Sequence, residues 1–178
     1  MAVHYDTFGP FELEREGGQV PPEALASFWK NRKTDSVKGL DGAVGVYIFC
    51  VQAKKVADLK PWYVGRTDKQ GFKKRFSQQH LHFRQVLDKA KNGTLQIYLI
   101  ALKAPGNKRL RKPTTNKITA NNWLESMLIT SCLDRNKQLI NASKVKHLKT
   151  LVVPGYLNNK VGKLSLSAAS LKKTLKVD

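Results

Sequence analysis

The sequence predicts a small α+β domain, in the broad α/β class, with a central three-stranded antiparallel or mixed sheet flanked by helices. Three observations support this fold class. The β-branched and aromatic runs GVYIFCV, PWYVGRT and TLQIYLIALKA are typical of strands. The longer segments GFKKRFSQQHLHFRQVLDKAKNG and TANNWLESMLITSCLDRN carry apolar side chains at helical spacing. Apolar residues make up 41% of the 178 residues, which is enough for a packed core.

Two prolines start a short helix in PPEALASFWKNRK. The first two strands, joined by a longish loop, fit an antiparallel hairpin. The first long helix has one apolar stripe and ends at an Asn-Gly pair; the stripe consists of Phe72, Phe76, Phe83 and Leu87. The third strand is apolar enough to be central in the sheet. After the second long helix, QLINA turns back toward the sheet. The segment HLKTLVVPGYL is then predicted as an edge strand.

Three regions follow from this order. Residues 1–41 are expected to be an N-terminal extension that is partly helical. Residues 42–145 contain the three strands and two long helices of the main domain. Residues 146–178 are expected to hold the edge strand and a basic C-terminal extension.

Positive charge is concentrated after the first region. The formal net charge is +19, and residues 42–178 hold 27 lysines and arginines against six acids. No acid occurs from Lys89 to Leu124 or from Arg135 to Val177. Such a surface attracts a polyanion, and binding to it depends strongly on salt. Nucleic acid is therefore the expected partner, and a membrane surface is not expected because no basic amphipathic helix stands out.

Cysteine usage and the N-terminus bear on the compartment. Cys50 and Cys132 both lie in apolar runs; two cysteines are too few for a disulfide framework, and their spacing does not suggest a zinc site. The N-terminus lacks the features of a secretory signal. No apolar stretch approaches the ~20 residues that a membrane span needs. The sequence therefore predicts buried thiols in a reducing, cytoplasmic setting.

Five short motifs occur in a fixed order along the main domain. GVY ends at Tyr47 on the first strand, and YVG begins at Tyr63 on the second, 16 residues later. FKKRF places Arg75 on the first long helix, WLES places Glu125 on the second, and LINA contains Asn141. In this order and on these elements, the motifs over residues 42–145 resemble the GIY-YIG nuclease family.

The resemblance implies a metal-dependent endonuclease that hydrolyses phosphodiester bonds, most readily of double-stranded DNA, with Mg²⁺ or Mn²⁺ as cofactor. It assigns Tyr47 and Tyr63 to the nucleophilic water, Arg75 to the scissile phosphate and Glu125 to the metal. It also implies that Asn141 holds the motif together through hydrogen bonds to backbone. Gly45 and Gly65 would be motif glycines that permit close approach.

The chemistry of these residue types agrees with those roles. Glu125 is the only acid between Asp88 and Asp134, so it is a candidate single-carboxylate ligand for a hard cation. The alternative is a surface glutamate paired with a lysine. A phenol with a pKa near ~10 is a poor base at neutral pH, but neighbouring cations favour the phenolate. Tyr47 is the first choice for the general base, although strand tyrosines often only pack.

Further basic residues are candidate nucleic-acid contacts. Arg66 directly follows YVG and either contacts DNA or caps the sheet edge. His80 lies one residue beyond the position where many family members carry a histidine, and its spacing favours the apolar stripe. The candidate nucleic-acid contacts are Arg66, Lys73, Lys74, His80, Lys108, Arg109, Arg111 and Lys112.

Two alternatives to an endonuclease remain open at this point. One is a non-catalytic DNA- or RNA-binding module on the same scaffold, and the other is a basic ribosome-associated protein. The small size suggests a restriction, defence or mobile-element nuclease rather than a housekeeping enzyme. Monomer and homodimer are both compatible with the sequence.

Overall fold

A computed structural model describes residues 2–16, 18–34, 38–53, 58–77, 81–90, 93–106, 108–141 and 165–175. Residues 1–141 form one unit and residues 142–178 a second. The described part of the second unit contains helix α5 (Leu166–Leu175). The described elements of the first unit are β1 (Tyr5–Leu13), α1 (Pro22–Thr34), β2 (Gly45–Gln52), β3 (Leu59–Thr67), α2 (Phe72–Ser77), α3 (Leu81–Lys89), β4 (Thr94–Leu102) and α4 (Thr119–Arg135).

The sheet has four strands in the order β1-β4-β2-β3, and every neighbouring pair is antiparallel. The predicted α+β class is confirmed, whereas the predicted number of three strands is wrong. The fourth strand is β1, whose Gly9-Pro10 step resembles a turn in the sequence. The register of β1 shifts between Phe8 and Phe11, so this step falls at the irregularity. Proline is tolerated there because an edge strand pairs on one side only.

The other elements largely follow the pattern of the sequence. β2 and β3 form the expected antiparallel hairpin, and β4 lies between β1 and β2 as a central strand. α1 and α4 begin and end close to the predicted positions. The segment predicted as one long helix contains α2 and α3, and residues 78–80 between them lie outside the described residues. The predicted edge strand over 147–157 also lies outside them.

The core is built on the alternation of side chains along β2. Tyr47, Phe49 and Val51 point to one face and join a cluster that includes Phe72 and Phe76 of α2. Leu87, also on the predicted stripe, is buried in the same cluster, while the side chain of Phe83 is not described. α2 is therefore attached to β2 by its two phenylalanines, which determines where the residues between them point.

The two cysteines are buried and free, as the sequence predicts. Burial raises the pKa of Cys50 to about 12 and that of Cys132 to about 11. Both thiols are therefore protonated at neutral pH and behave as small apolar side chains. Among the described residues, no helix has the length and apolar character that crossing a membrane requires.

The segment after α4 follows the outer edge of β3. The side-chain amide of Asn136 donates to the Pro61 carbonyl at 2.7 Å, and the Ile140 backbone N–H donates to the Trp62 carbonyl at 2.9 Å. These bonds satisfy backbone groups on the side of β3 that faces away from β2, where a bare strand edge would otherwise be open to pairing. The segment thereby carries Asn141 to the level of the motif YVG.

Candidate active site

Tyr47 lies at the centre of the candidate site. It sits on β2 directly opposite Gly65 of β3 and is only 1% exposed. Its ring packs edge-on against Phe76, with ring centroids 4.9 Å apart, and against Phe72 at 6.5 Å. α2 therefore holds the ring in place from one side. The hydroxyl group is the only polar part of this side chain, so its partners determine its chemistry.

Two side chains converge on the Tyr47 hydroxyl group. Arg75 Nε donates to its oxygen at 3.4 Å, and the Tyr63 hydroxyl is hydrogen-bonded to it. The two rings lie 6.1 Å apart between centroids. The structure thus brings three of the predicted residues together around one phenolic oxygen.

The protonation of the two phenols reflects competing causes. Burial is the largest cause and raises the pKa of Tyr47, while the charge of Arg75 and the two hydrogen bonds lower it. Burial also raises the pKa of Tyr63. The negative charge of Glu125 raises the pKa of both tyrosines. Both phenols are therefore neutral at pH 7.

Gly65 is required by the position of the Tyr47 ring. A Cβ atom at residue 65 would overlap the phenol end of Tyr47 and would lie 2.7 Å from Cε1 of Tyr63. At Gly45 a Cβ atom would overlap the Ile100 carbonyl oxygen of β4. Both predicted motif glycines thus allow close approach. Gly65 lets the ring of Tyr47 lie against β3, and Gly45 lets β2 lie close to β4.

Glu125 lies on the inner side of α4, and its side chain is 12% exposed. Its Oε2 atom is 3.4 Å from Nε of Arg66, so the carboxylate has a cationic neighbour from β3. Arg66 also lies 3.5 Å, through Nη1, from Oδ2 of Asp68. Arg66 is thus placed between two carboxylates, and its predicted contact with DNA stays a prediction.

Asp68 and Asn121 were not identified from the sequence. Asn121 is fully buried, and its amide nitrogen donates to Asp68 Oδ1 at 2.8 Å and to the Thr67 carbonyl at 3.3 Å. The Tyr5 hydroxyl donates to Asn121 Oδ1 at 2.9 Å. A chain of polar contacts therefore runs from β1 through α4 to Arg66. The one signal in the sequence was an aspartate three residues after YVG, in a basic neighbourhood.

Asn141 binds the backbone of β3 at Val64. Its Oδ1 accepts from the Val64 N–H at 2.9 Å, and its Nδ2 donates to the Val64 carbonyl. The predicted hydrogen bonds to backbone are therefore present. Because Val64 lies between Tyr63 and Gly65, this pairing positions the stretch of β3 that carries the second tyrosine.

A basic groove lies next to α2. Its volume is about 730 Å³. Among the described residues, the lining includes one acid, Asp41, and three glycines. The basic side chains that line it are Lys38, Lys73, Lys74, Arg109 and Lys112. Four of these five were predicted as nucleic-acid contacts, and Lys38 was missed. Three separate segments supply them, so the groove exists only in the folded chain.

The remaining predicted contacts lie elsewhere. Lys108 is exposed but does not line the groove. Arg111 is half-buried; its backbone N–H donates to the Leu102 carbonyl and its carbonyl accepts from Val44, which attaches this loop to the sheet. His80 lies outside the described residues.

The donor set suits a weakly held hard cation rather than a closed metal cage. Among residues 2–141, where described, no group of three or more histidine, cysteine, aspartate or glutamate side chains converges. Glu125 is a partly exposed carboxylate whose charge acts on both phenols. Mg²⁺ is usually bound through one or two carboxylates, with waters and substrate phosphates as the other ligands. Glu125 fits that arrangement, because a substrate and solvent would complete the shell.

Comparison with protein-family models, curated proteins and solved structures gave no match to this chain.

Proposed function

We propose that this protein is a metal-dependent endonuclease of the GIY-YIG type that hydrolyses phosphodiester bonds in double-stranded DNA. The observation that carries the proposal is the convergence of Tyr63 and Arg75 on the Tyr47 hydroxyl, together with the effect of the Glu125 charge on both phenols. Phosphodiester hydrolysis needs an activated water, neutralised phosphate charge and a stabilised leaving oxygen.

Each residue has a role that its position supports. Tyr47 would accept the proton of the attacking water, because Arg75 donates to its oxygen and its charge favours the phenolate against the effect of burial. Arg75 uses Nε for Tyr47 and retains four other N–H donors, which match phosphate oxygens. Glu125 would hold the cation. A bound Mg²⁺ or Mn²⁺ would supply charge stabilisation for the phosphate and the leaving oxygen.

The basic groove would hold the DNA backbone beside the cleavage site. Lys73 and Lys74 line it and immediately precede Arg75 on α2. A strand whose phosphates follow the groove would thus pass the residue proposed to bind the scissile phosphate. One such site cuts one strand, so cleavage of both strands would need two chains or two binding events.

The first experiment compares nicking of supercoiled plasmid by the wild-type protein and by Glu125→Gln, with Mg²⁺, with Mn²⁺ and with chelator. We expect metal-dependent nicking that falls by at least about 10³-fold in Glu125→Gln, because the carboxylate that holds the cation is lost. DNA binding in the absence of metal should change little.

Asp134→Asn is the matched control, since Asp134 is an exposed acid on the same helix and pairs with Lys137 at 3.5 Å. It should nick at the wild-type rate. Nicking that persists in Glu125→Gln would contradict the proposal.

A second experiment tests the groove. Arg109→Ala and Lys112→Ala should each weaken DNA binding and reduce the slope of log affinity against log salt by about 1, the expectation for one lost phosphate contact. Lys137→Ala removes an exposed cation that does not line the groove and is the control. If all three variants lose the same amount of DNA affinity, the groove has no special part in binding.

A non-catalytic nucleic-acid-binding module is the second candidate. The observation that favours it is the ion pair between Arg66 and Glu125, which places a cation of the protein where the metal ligand is proposed. Salt-dependent binding without nicking in any divalent metal would favour the module.

A further inference from the structure

Arg66 holds two carboxylates through two different nitrogen atoms. Nε lies 3.4 Å from Glu125 and Nη1 lies 3.5 Å from Asp68. The Arg66 side chain is 22% exposed, and the Asp68 side chain is 8% exposed. In such a partly buried position a unit charge is screened less than on the open surface, so Arg66 strongly affects any other cation near Glu125.

The contact between Arg66 and Glu125 is long for an ion pair. Strong charge-assisted hydrogen bonds have N–O distances of about 2.7–2.9 Å, well below the 3.4 Å measured here. Nη1 of Arg66 is buried and has no hydrogen-bond partner among the described residues, although it lies near Asp68. The geometry is therefore that of a loosely held guanidinium, which a divalent cation with a short metal–oxygen bond can displace.

Asp68 is much more firmly placed than Arg66. Its Oδ1 accepts from the amide of the fully buried Asn121 at 2.8 Å, and Asn121 in turn accepts from the Tyr5 hydroxyl. If Arg66 leaves Glu125, its other nitrogen still lies beside this anchored carboxylate. Release of Glu125 therefore does not leave a buried guanidinium without a counter-ion, which would be costly.

We infer that Arg66 is a built-in counter-ion of Glu125 that competes with the metal, so that the free protein binds the cation weakly and a bound phosphate is needed to load it. The inference rests on the proposed function, because it takes Glu125 as the metal ligand. A phosphate group adds oxygen ligands and negative charge, which shifts the competition toward the metal. Arg66 is accordingly a regulatory neighbour of the site rather than a catalytic residue.

The experiment measures Mn²⁺ binding to the full chain without DNA, by the electron paramagnetic resonance signal of the unbound ion. Arg66→Met should bind Mn²⁺ about five- to tenfold more tightly than wild type, because one nearby positive charge is removed. Arg66→Lys keeps the charge and should remain close to wild type.

Lys103→Met is the control for overall charge. Lys103 is also partly buried and pairs with Asp6 at 3.1 Å, so the variant loses the same charge at a different carboxylate. Its Mn²⁺ affinity should not change. Arg66→Gln also removes the charge but keeps an N–H donor for Asp68, and it is the second test protein if Arg66→Met unfolds. It should likewise bind Mn²⁺ more tightly than wild type.

Unchanged or weaker Mn²⁺ binding in Arg66→Met would overturn the inference, since an arginine that only orients Glu125 gives that result. A gain that persists in Arg66→Met/Glu125→Gln would overturn it as well, because the tighter site would then not involve Glu125. The proposed function is judged separately, by nicking in Glu125→Gln. Loss of nicking there together with no gain in Arg66→Met would leave the nuclease proposal standing and remove this one.

Discussion

Tyr47→Phe should lower the rate of metal-dependent nicking by about 10²- to 10⁴-fold, the usual contribution of a general base. The substitution removes only the oxygen on which Arg75 and Tyr63 converge, and the ring that packs against Phe76 remains. DNA affinity should stay within about twofold of wild type, because the groove is not altered. The measurement is single-turnover nicking of plasmid at saturating protein.

The dependence of the rate on pH provides a second readout. Burial raises the pKa of Tyr47 above its ordinary value, so the phenol is almost fully protonated at neutral pH. The fraction of phenolate then rises about tenfold per pH unit, and the wild-type rate should rise with pH through the neutral and mildly alkaline range. In Tyr47→Phe this rise should be lost.

Two further variants make the assignment specific. Tyr98→Phe is the control, since Tyr98 pairs in register with Ile48 of β2 and therefore points away from the face that carries Tyr47. It should nick like wild type. Tyr63→Phe removes a hydrogen-bond partner of Tyr47 and should cost less than Tyr47→Phe. If Tyr63→Phe has the larger effect, the roles of the two phenols are reversed.

Asn141→Ala should lower the free energy of unfolding by about 2–4 kcal/mol. Asn141 satisfies both the N–H and the carbonyl of Val64, and its side chain is nearly buried. Each buried backbone group left without a partner costs about 1–3 kcal/mol. Urea denaturation followed by circular dichroism measures the change.

Asn116→Ala is the matched control, because Asn116 is exposed in the loop before α4. We expect its free energy of unfolding to be within about 0.5 kcal/mol of the wild-type value, as is usual for surface substitutions. If Asn141→Ala lowers the free energy of unfolding by less than about 0.5 kcal/mol, water takes over the hydrogen bonds to Val64 and Asn141 does not secure β3. Because the same bonds position Tyr63, the destabilised variant should also nick more slowly at temperatures where it is folded.

The local sequence pattern is sufficient to predict most elements of the fold. β2, β3 and β4 each have a β-branched and aromatic run, and α4 has a long stretch with apolar residues at helical spacing. Such periodicities are properties of neighbouring residues, so they are visible in one sequence. β1 was missed because its Gly9-Pro10 step is a local signal for a turn, and only pairing with β4 over almost ninety residues makes the segment a strand.

Residue types and their spacing show which side chains are chemically able to act: two strand tyrosines, an arginine between two phenylalanines, an isolated glutamate and an excess of cations. The folded chain adds that Arg75 and Tyr63 meet at Tyr47, that Arg66 stands between Glu125 and Asp68, and that Lys38 joins the groove. A charge or a hydrogen-bond donor acts over only a few ångströms in space. Which residues come within that distance depends on the packing of the whole sheet and its helices, and spacing along the chain does not record it.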